Sequence, residues 1–359
     1  MQIAIFKSVE NTFKKCVILF AAAIGSNLKI PIFAEKNLTL IPFLTMKTMM
    51  KRTFLAWGAL AMLTCSAFGQ QNYWQQFSDE FQRKDTVKLK EILREWQADS
   101  PDDADLHASW FNYCLMRSMN QTMQVTKTPP ADPNTEATVL TDSLGNEVGY
   151  MYSTVEQDPT LLEQAYQWLD KGIRKHPDRL DLRFGKMATL LNEGSYDRFL
   201  TDAKSALQHS RANGNNWKWT LNEQMSADKG KETLLTGMQD YFAACFDTNN
   251  ATADSAASVL VHEVLNLHPD DMWFRTNQAT IHFIKGEHDI ALEKYLALLK
   301  DYPLDTILLG NIAHIYVLKG DKQAAILCYK EILKTDDEAY KEFAKQRIAE
   351  LTRITPPDR

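Results

Sequence analysis

The sequence predicts an all-α fold, a helical solenoid of about six helical hairpins that carries one small β-hairpin insertion. Two observations lead there. A 34-residue unit is stated twice between Met272 and Asp337. Ala279, Gly286, Ala291, Tyr295 and Pro303 mark its first copy, and a step of 34 lands on Ala313, Gly320, Ala325, Tyr329 and Asp337, so only the closing proline is lost. Helix-length apolar runs also flank Lys285–Glu287 and Lys319–Asp321, which reads as helix, tight turn, helix in both copies. A fixed period of this length built from paired helices is the mark of a helical repeat array.

The residue types suit their places. Ala279 and Ala313 on the first helix, and Ala291 and Ala325 on the second, stand where two helices approach closely. Gly286 and Gly320 relieve the turn, because glycine enters positive φ at little cost. Tyr295 and Tyr329 are bulky bodies for the gap toward the next hairpin, and Pro303 stops the second helix.

With these residues in place the chain resembles the tetratricopeptide repeat family. The family places small residues at repeat positions 8 and 20, an aromatic at 24 and proline at 32. Asn277 and Asn311, Gly286-Glu287 and Gly320-Asp321 fit its further preferences. The resemblance implies a right-handed superhelix that binds proteins or peptides. It implies a concave groove lined by Trp273, Thr276, Thr280, Phe283 and Ile284 in one repeat. In the next the same positions are Ile307, Gly310, His314, Val317 and Leu318. The family's carboxylate-gripping mode needs basic residues where Trp273, Thr276, Ile307 and Gly310 stand, so that mode is not expected. An apolar and aromatic groove suits a helix or an extended apolar segment instead, with Trp273 as the foremost anchor.

At the start of the chain, Lys51-Arg52 precede the apolar run Phe54 to Leu63, and a small-x-small site closes at Gly69. This reads as a secretory signal peptide over residues 46–69, cleaved after Gly69. Residues 1–45 then read as an over-extended frame with Met46, Met49 or Met50 as the true start; the alternative keeps Met1, with Lys14-Lys15 and the apolar run Cys16 to Ile24 as a first export signal. Cys65 raises the question of a lipid anchor, but Thr64 and Met62 depart from the lipobox pattern. Residues 1–69 hold eight Lys/Arg and two Glu, so the 40 basic and 46 acidic side chains of the whole chain become 32 and 44 without them. A body that acidic repels phosphate backbones and anionic head groups, so nucleic-acid binding is not expected. The remaining cysteines, Cys114, Cys245 and Cys328, form no disulfide framework and read as buried thiols.

Four further hairpins precede the clear repeats. Trp74–Gln82 and Val87–Trp96 form the first, closed by Asp99-Ser100-Pro101. Leu106–Met119 and Leu161–Lys175 form the second, with residues 121–158 inserted between them. Leu180 to Ser210 forms the third around Gly194-Ser195-Tyr196, with Phe199 where alanine is expected. Glu232–Phe246 and Asp254–Leu267 form the fourth. The chain thus divides into residues 70–210, a polar connecting loop at 211–230 with Trp217 and Trp219, repeats at 231–337, and a capping helix and tail at 338–359. A mixed, charged last helix suits the end of an open array. In the insertion, Pro129, Pro130 and Pro133 predict an extended stretch. Val139–Thr141 and Val148–Tyr152 then flank a turn at Asp142–Glu147, a β-hairpin pattern.

No nucleophile motif, phosphate loop or metal spacing is present. His262 and His268 are six residues apart, as are His282 and His288, whereas helical metal ligands need i and i+4. Asp102-Asp103-Asp105 read as helix-start residues. The expectation is a non-enzymatic adaptor or assembly scaffold of the bacterial cell envelope without cofactor or metal. It is periplasmic or outer-membrane associated, and its partner is another envelope protein or peptide. Two other classes remain open: a lipid-anchored structural component of an outer-membrane assembly, and an envelope hydrolase or carbohydrate-processing enzyme with its site on the 121–158 insertion.

Overall fold

A computed structural model describes residues 72–131, 135–246 and 250–353. The signal peptide, the start codon and Cys65 lie outside them. The described chain is mostly helical, with thirteen α-helices and one small sheet. It divides into two compact units on either side of the Leu260/Val261 bond.

The first unit opens with α1 (Tyr73–Arg83) and α2 (Thr86–Asp99), then α3 (Ala104–Ser118) and α4 (Pro159–Lys175), then α5 (Leu180–Asn192) and α6 (Tyr196–Ala212). Next come α7 (Ala227–Phe246) and α8 (Ala251–Leu267), the last of which runs past the division. The first four helices start where a short polar side chain takes up a free amide. Asn72 caps α1, Asp85 α2, Asp103 α3 and Asp158 α4, each accepting a first-turn N–H. The core packs Phe77, Phe81, Leu89, Leu93 and Trp96 against Leu106, Phe111, Leu115, Ala165 and Leu169.

Between α3 and α4 lie β1 (Met119–Thr126), β2 (Ala137–Thr141) and β3 (Glu147–Gln157), antiparallel in the order β1-β3-β2. The expected hairpin is β2–β3, and β1 adds a strand in a stretch where the sequence predicts the end of a helix and a proline-led extension. The helix stops one residue early, where Ser118 Oγ donates to its own Leu115 carbonyl and Met119 turns extended. Asn and Gln then mask the alternation that makes Met119–Thr126 a strand. Gly149 is required inside β3, because a Cβ there would meet the Thr126 carbonyl oxygen at 2.7 Å.

Arg179, Asp105 and Asp181 form a buried charged cluster in the first unit. Arg179 is 1% exposed; its Nη2 donates to Asp105 and to Asp181, both at 2.7 Å, and its Nε donates to Asp181 at 2.9 Å. Asp105 also accepts the Leu221 backbone N–H, and Asp181 the Thr220 hydroxyl. Burial alone works against the charged guanidinium, but the Asp181 and Asp105 carboxylates outweigh it and hold Arg179 above its ordinary value. Asp105 is therefore more than the helix-start residue its sequence context suggests: Asp103 takes the cap, and Asp105 takes the ion pair. Trp217 and Trp219 are both buried beside this loop, and Trp217 Nε1 donates to Ser210. On α7, Gly237 admits the Phe184 ring, which a Cβ would meet at 2.4 Å.

The second unit holds the clear repeats: α9 (Met272–Ile284) with α10 (His288–Asp301), and α11 (Thr306–Leu318) with α12 (Lys322–Ile332), followed by α13 (Glu338–Thr352). Ala279, Ala291, Ala313 and Ala325 are all fully buried. Tyr295 and Tyr329 fill the gaps behind them, and Gly286 and Gly320 have φ of +77° and +79°. Asp271 and Asp305, 34 residues apart, cap α9 and α11 with their side chains. The sequence expects α13 to be a polar cap, yet Tyr340 and Ala344 are buried against Leu309, Ala313, Tyr329 and Ile332. A step of 34 from Ala313 lands on Arg347, whose side chain bonds Glu350 and Tyr329. With no second helix following among the described residues, a small residue is not needed there.

Two outcomes are expected of the first unit. Arg179→Met leaves two carboxylates buried beside a neutral side chain and destabilises the unit by ~3–5 kcal/mol, read by urea unfolding and by faster proteolysis at residues 213–226. Burial raises Asp240 on α7 from 3.8 to about 7. The fold thus keeps a proton that the unfolded chain loses, and stability falls as pH rises from about 4 to 7 and then levels off. Asp240→Asn removes that slope and adds ~1–3 kcal/mol at pH 8.

Candidate functional site

The first helices of the two clear repeats supply the candidate surface. On α9, Trp273, Thr280 and Ile284 fall on one stripe, and Thr276 and Phe283 fall to its side. Trp273 and Ile284 are 43% and 47% exposed, whereas Thr276 and Phe283 are 6% and 7% exposed. The sequence treats all five as groove-lining, and the structure separates them by helical angle. The Thr276 hydroxyl donates to the Met272 carbonyl, and Thr280 Oγ1 donates to Thr276 while holding the Tyr295 hydroxyl at 2.7 Å. Burial pushes Tyr295 up to about 12, so the phenol stays a neutral donor.

Phe283 is a packing residue. Its ring stacks on His288 at 5.4 Å and meets the edge of His314 at 5.5 Å. On α11, Ile307 and Val317 are half-buried against the cluster built on Tyr329 and Tyr340. His314 is half-buried, and burial, followed by the Arg347 and His288 charges, holds it below the usual histidine range. Leu318 is 50% exposed and repeats the place of Ile284. On these two first helices the exposed large apolar side chains are Trp273, Ile284 and Leu318, near the helix ends. Hydroxyls that are already bonded occupy the middle of α9.

Among the described residues no set of His, Cys, Asp and Glu has the geometry to hold a metal ion. No helix among them is long and apolar enough to cross a membrane. Burial pushes the Cys114 and Cys328 thiols up to about 11 and Cys245 to about 12, far from nucleophilic. The clefts on α1–α3 are shallow, about 250 and 340 Å³, and lined mainly by Lys, Arg and Glu. In the insertion, Asp142 binds its own turn at Leu144 and Asn146, and Glu147 accepts from Tyr150.

The second unit is a tetratricopeptide-type array: paired helices at a 34-residue period, with small residues and tyrosines buried at the same places in both copies. No family model matches the chain, and no curated protein is similar to it. Solved tetratricopeptide-repeat structures are similar in fold. YrrB, described as having an unusual peptide-binding site, is 13% identical over 71% of this chain and 97% of its own, with a TM-score of 0.32. The P58(IPK) tetratricopeptide domain is 15% identical over 77% of this chain and 63% of its own, with a TM-score of 0.25. A tetratricopeptide repeat protein from Parabacteroides merdae is 13% identical over 78% and 98%, with a TM-score of 0.24. Likeness at this level carries no residue of the site across.

Gly310 separates packing from surface in a measurable way. It lies inside α11 with ordinary φ, and a Cβ there would meet nothing within 4 Å. Gly310→Ala is expected to stabilise the second unit by ~0.5–1 kcal/mol through helix propensity, whereas Gly237→Ala, facing Phe184, destabilises the first. Urea denaturation of the two variants checks both signs.

Proposed function

We propose that this protein is a non-enzymatic interaction scaffold whose second unit docks an apolar segment of a partner along the first helices of its repeats. The observation that carries the proposal is the exposed set Trp273, Ile284 and Leu318 on α9 and α11, next to side chains already committed to packing. Large aromatic and aliphatic side chains held on rigid helices are the usual energetic anchors of protein interfaces. The signal-peptide pattern of residues 46–69 supports a place in the cell envelope, with a periplasmic or outer-membrane partner.

A second reading locates the contact on the insertion. Met123, Val125 and Val155 of β1 and β3 are 61%, 66% and 61% exposed, and the strand register places all three on one face of the sheet.

The test is crosslinked capture from cell envelopes with the full chain carrying a C-terminal tag. The Trp273→Ala, Ile284→Ala double variant is expected to lose a specific partner by ~30-fold or more, equivalent to ~2 kcal/mol. Circular dichroism should not change, because both side chains are exposed. Capture that survives this variant but disappears when Met123 and Val125 are changed to Ser moves the site to the sheet. Capture unaffected by either change removes the scaffold reading in both forms.

A further inference from the structure

The joint between α3 and α4 is closed around a histidine that has no place for a second proton. His107 is fully buried on α3, and its Nδ1 donates to the Asp103 carbonyl oxygen at 2.7 Å. That bond fixes the tautomer, because a carbonyl can only accept, and it leaves Nε2 as the bare nitrogen. Nε2 is itself buried, with no hydrogen-bond partner among the described residues. There is no slack around the ring. A Cβ on Gly172 of α4 would lie 2.9 Å from the His107 Cβ, and Trp168 and His176 pack edge-on to the imidazole at 5.9 and 6.0 Å.

The charges facing this ring are mostly of one sign. From α4 and its end come Lys171, Lys175 and His176, and all three oppose a positive charge on His107. The carboxylates at hand are engaged. Asp102 is paired with Lys175, and Asp103 accepts from Trp96 Nε1 and from the Asp105 amide. From α5 the apolar Leu182 lies against Gly172.

We propose that His107 is an acid-sensitive latch, and that protonating its Nε2 opens the α3–α4 joint and frees the three-stranded sheet held between those helices. The sheet depends directly on this joint. β1 continues α3 without a break at Met119, β3 ends one residue before the Asp158 cap of α4, and the Asp158 N–H donates to the Ser118 carbonyl at 2.7 Å across the neck. Acid would thus change the presentation of the face bearing Met123, Val125 and Val155 while leaving the repeats of the second unit folded.

The sign follows from linkage. Burial, ahead of the neighbouring cations, lowers the affinity of His107 for a proton below that of a free imidazole. The open form takes up the proton that the closed form refuses, so its population grows about tenfold for each pH unit below about 6.5. Between pH 8 and pH 5 the opening constant rises about 30-fold.

Native-state hydrogen exchange over residues 104–175, corrected for the intrinsic pH dependence of exchange, tests this. Wild type is expected to lose about 30-fold of its protection in α3, α4 and the sheet between pH 8 and pH 5. His107→Leu is expected to lose none, and His176→Gln to behave as wild type. Equal protection at both pH values in wild type overturns the proposal, as does a fall that persists in His107→Leu or disappears in His176→Gln. Should His107→Leu fail to fold, the ring resonance of His107 decides. Titration to the imidazolium while α3 and α4 amides stay protected overturns the latch, and titration only together with their loss supports it.

Discussion

The first unit depends on one buried guanidinium. Arg179 stands at the entrance to α5, and its two carboxylate partners come from the first turns of α3 and α5. The same carboxylates receive the backbone of Leu221 and the hydroxyl of Thr220, so a single charged cluster fixes two helix starts and a long loop together. Leu221 and Asn222 have φ of +59° and +55°, a conformation that side chains rarely hold without help. The Asp105 carboxylate supplies that help by binding the Leu221 amide. A buried ion pair contributes little net stability compared with an apolar core, but removing one partner is costly. The cluster therefore acts as a register device that makes one arrangement of the loop far better than its alternatives.

In the second unit the constraint is volume. Four alanines with no exposed surface let paired helices approach, and Tyr295 and Tyr329 occupy the space this leaves at the next interface. Polar groups are handled with the same economy. Aspartate caps at α2, α3, α4, α9, α11, α12 and α13 bind free first-turn amides, so part of the acidic excess of this chain lies where helix dipoles favour it. Negative charge here serves local structure, and the one arginine of α9, Arg275, faces Asp301 of α10.

How much of this the sequence shows depends on the range of the interactions. The hairpins of the second unit are legible because their period, their glycine turns and their small residues are all local and stated twice. The strand β1 is hidden, because its Asn and Gln residues give a weak pattern and its partners lie 24 residues later at Thr126↔Tyr150 and 38 later at Met119↔Gln157. Arg179 is hidden for the same reason: nothing near it in sequence says that Asp105, 74 residues earlier, lies against it. For the candidate site, the repeat pattern nominates the first helices, α9 and α11. It cannot tell Trp273 from Thr276 or Ile284 from Phe283, because that distinction depends on which side the neighbouring hairpin covers.

That distinction also bears on the shape of a partner for the proposed surface. Trp273 and Ile284 are eleven residues apart, as are Ile307 and Leu318 on the next first helix. Eleven residues make about three helical turns and place both side chains on one stripe about 16 Å apart. A ligand helix lying along α9 reproduces that spacing, since its own residues eleven apart share a face. An extended segment covers 16 Å in about five residues, and its period of two then puts the two anchoring side chains on opposite faces. Between the anchors, Thr280 is small and its hydroxyl is already bonded to Tyr295, so a helical backbone can pass over it without leaving a polar group stranded. The exposed pair on α9 carries this interval, and on these grounds a helical partner fits the proposed surface better than an extended one.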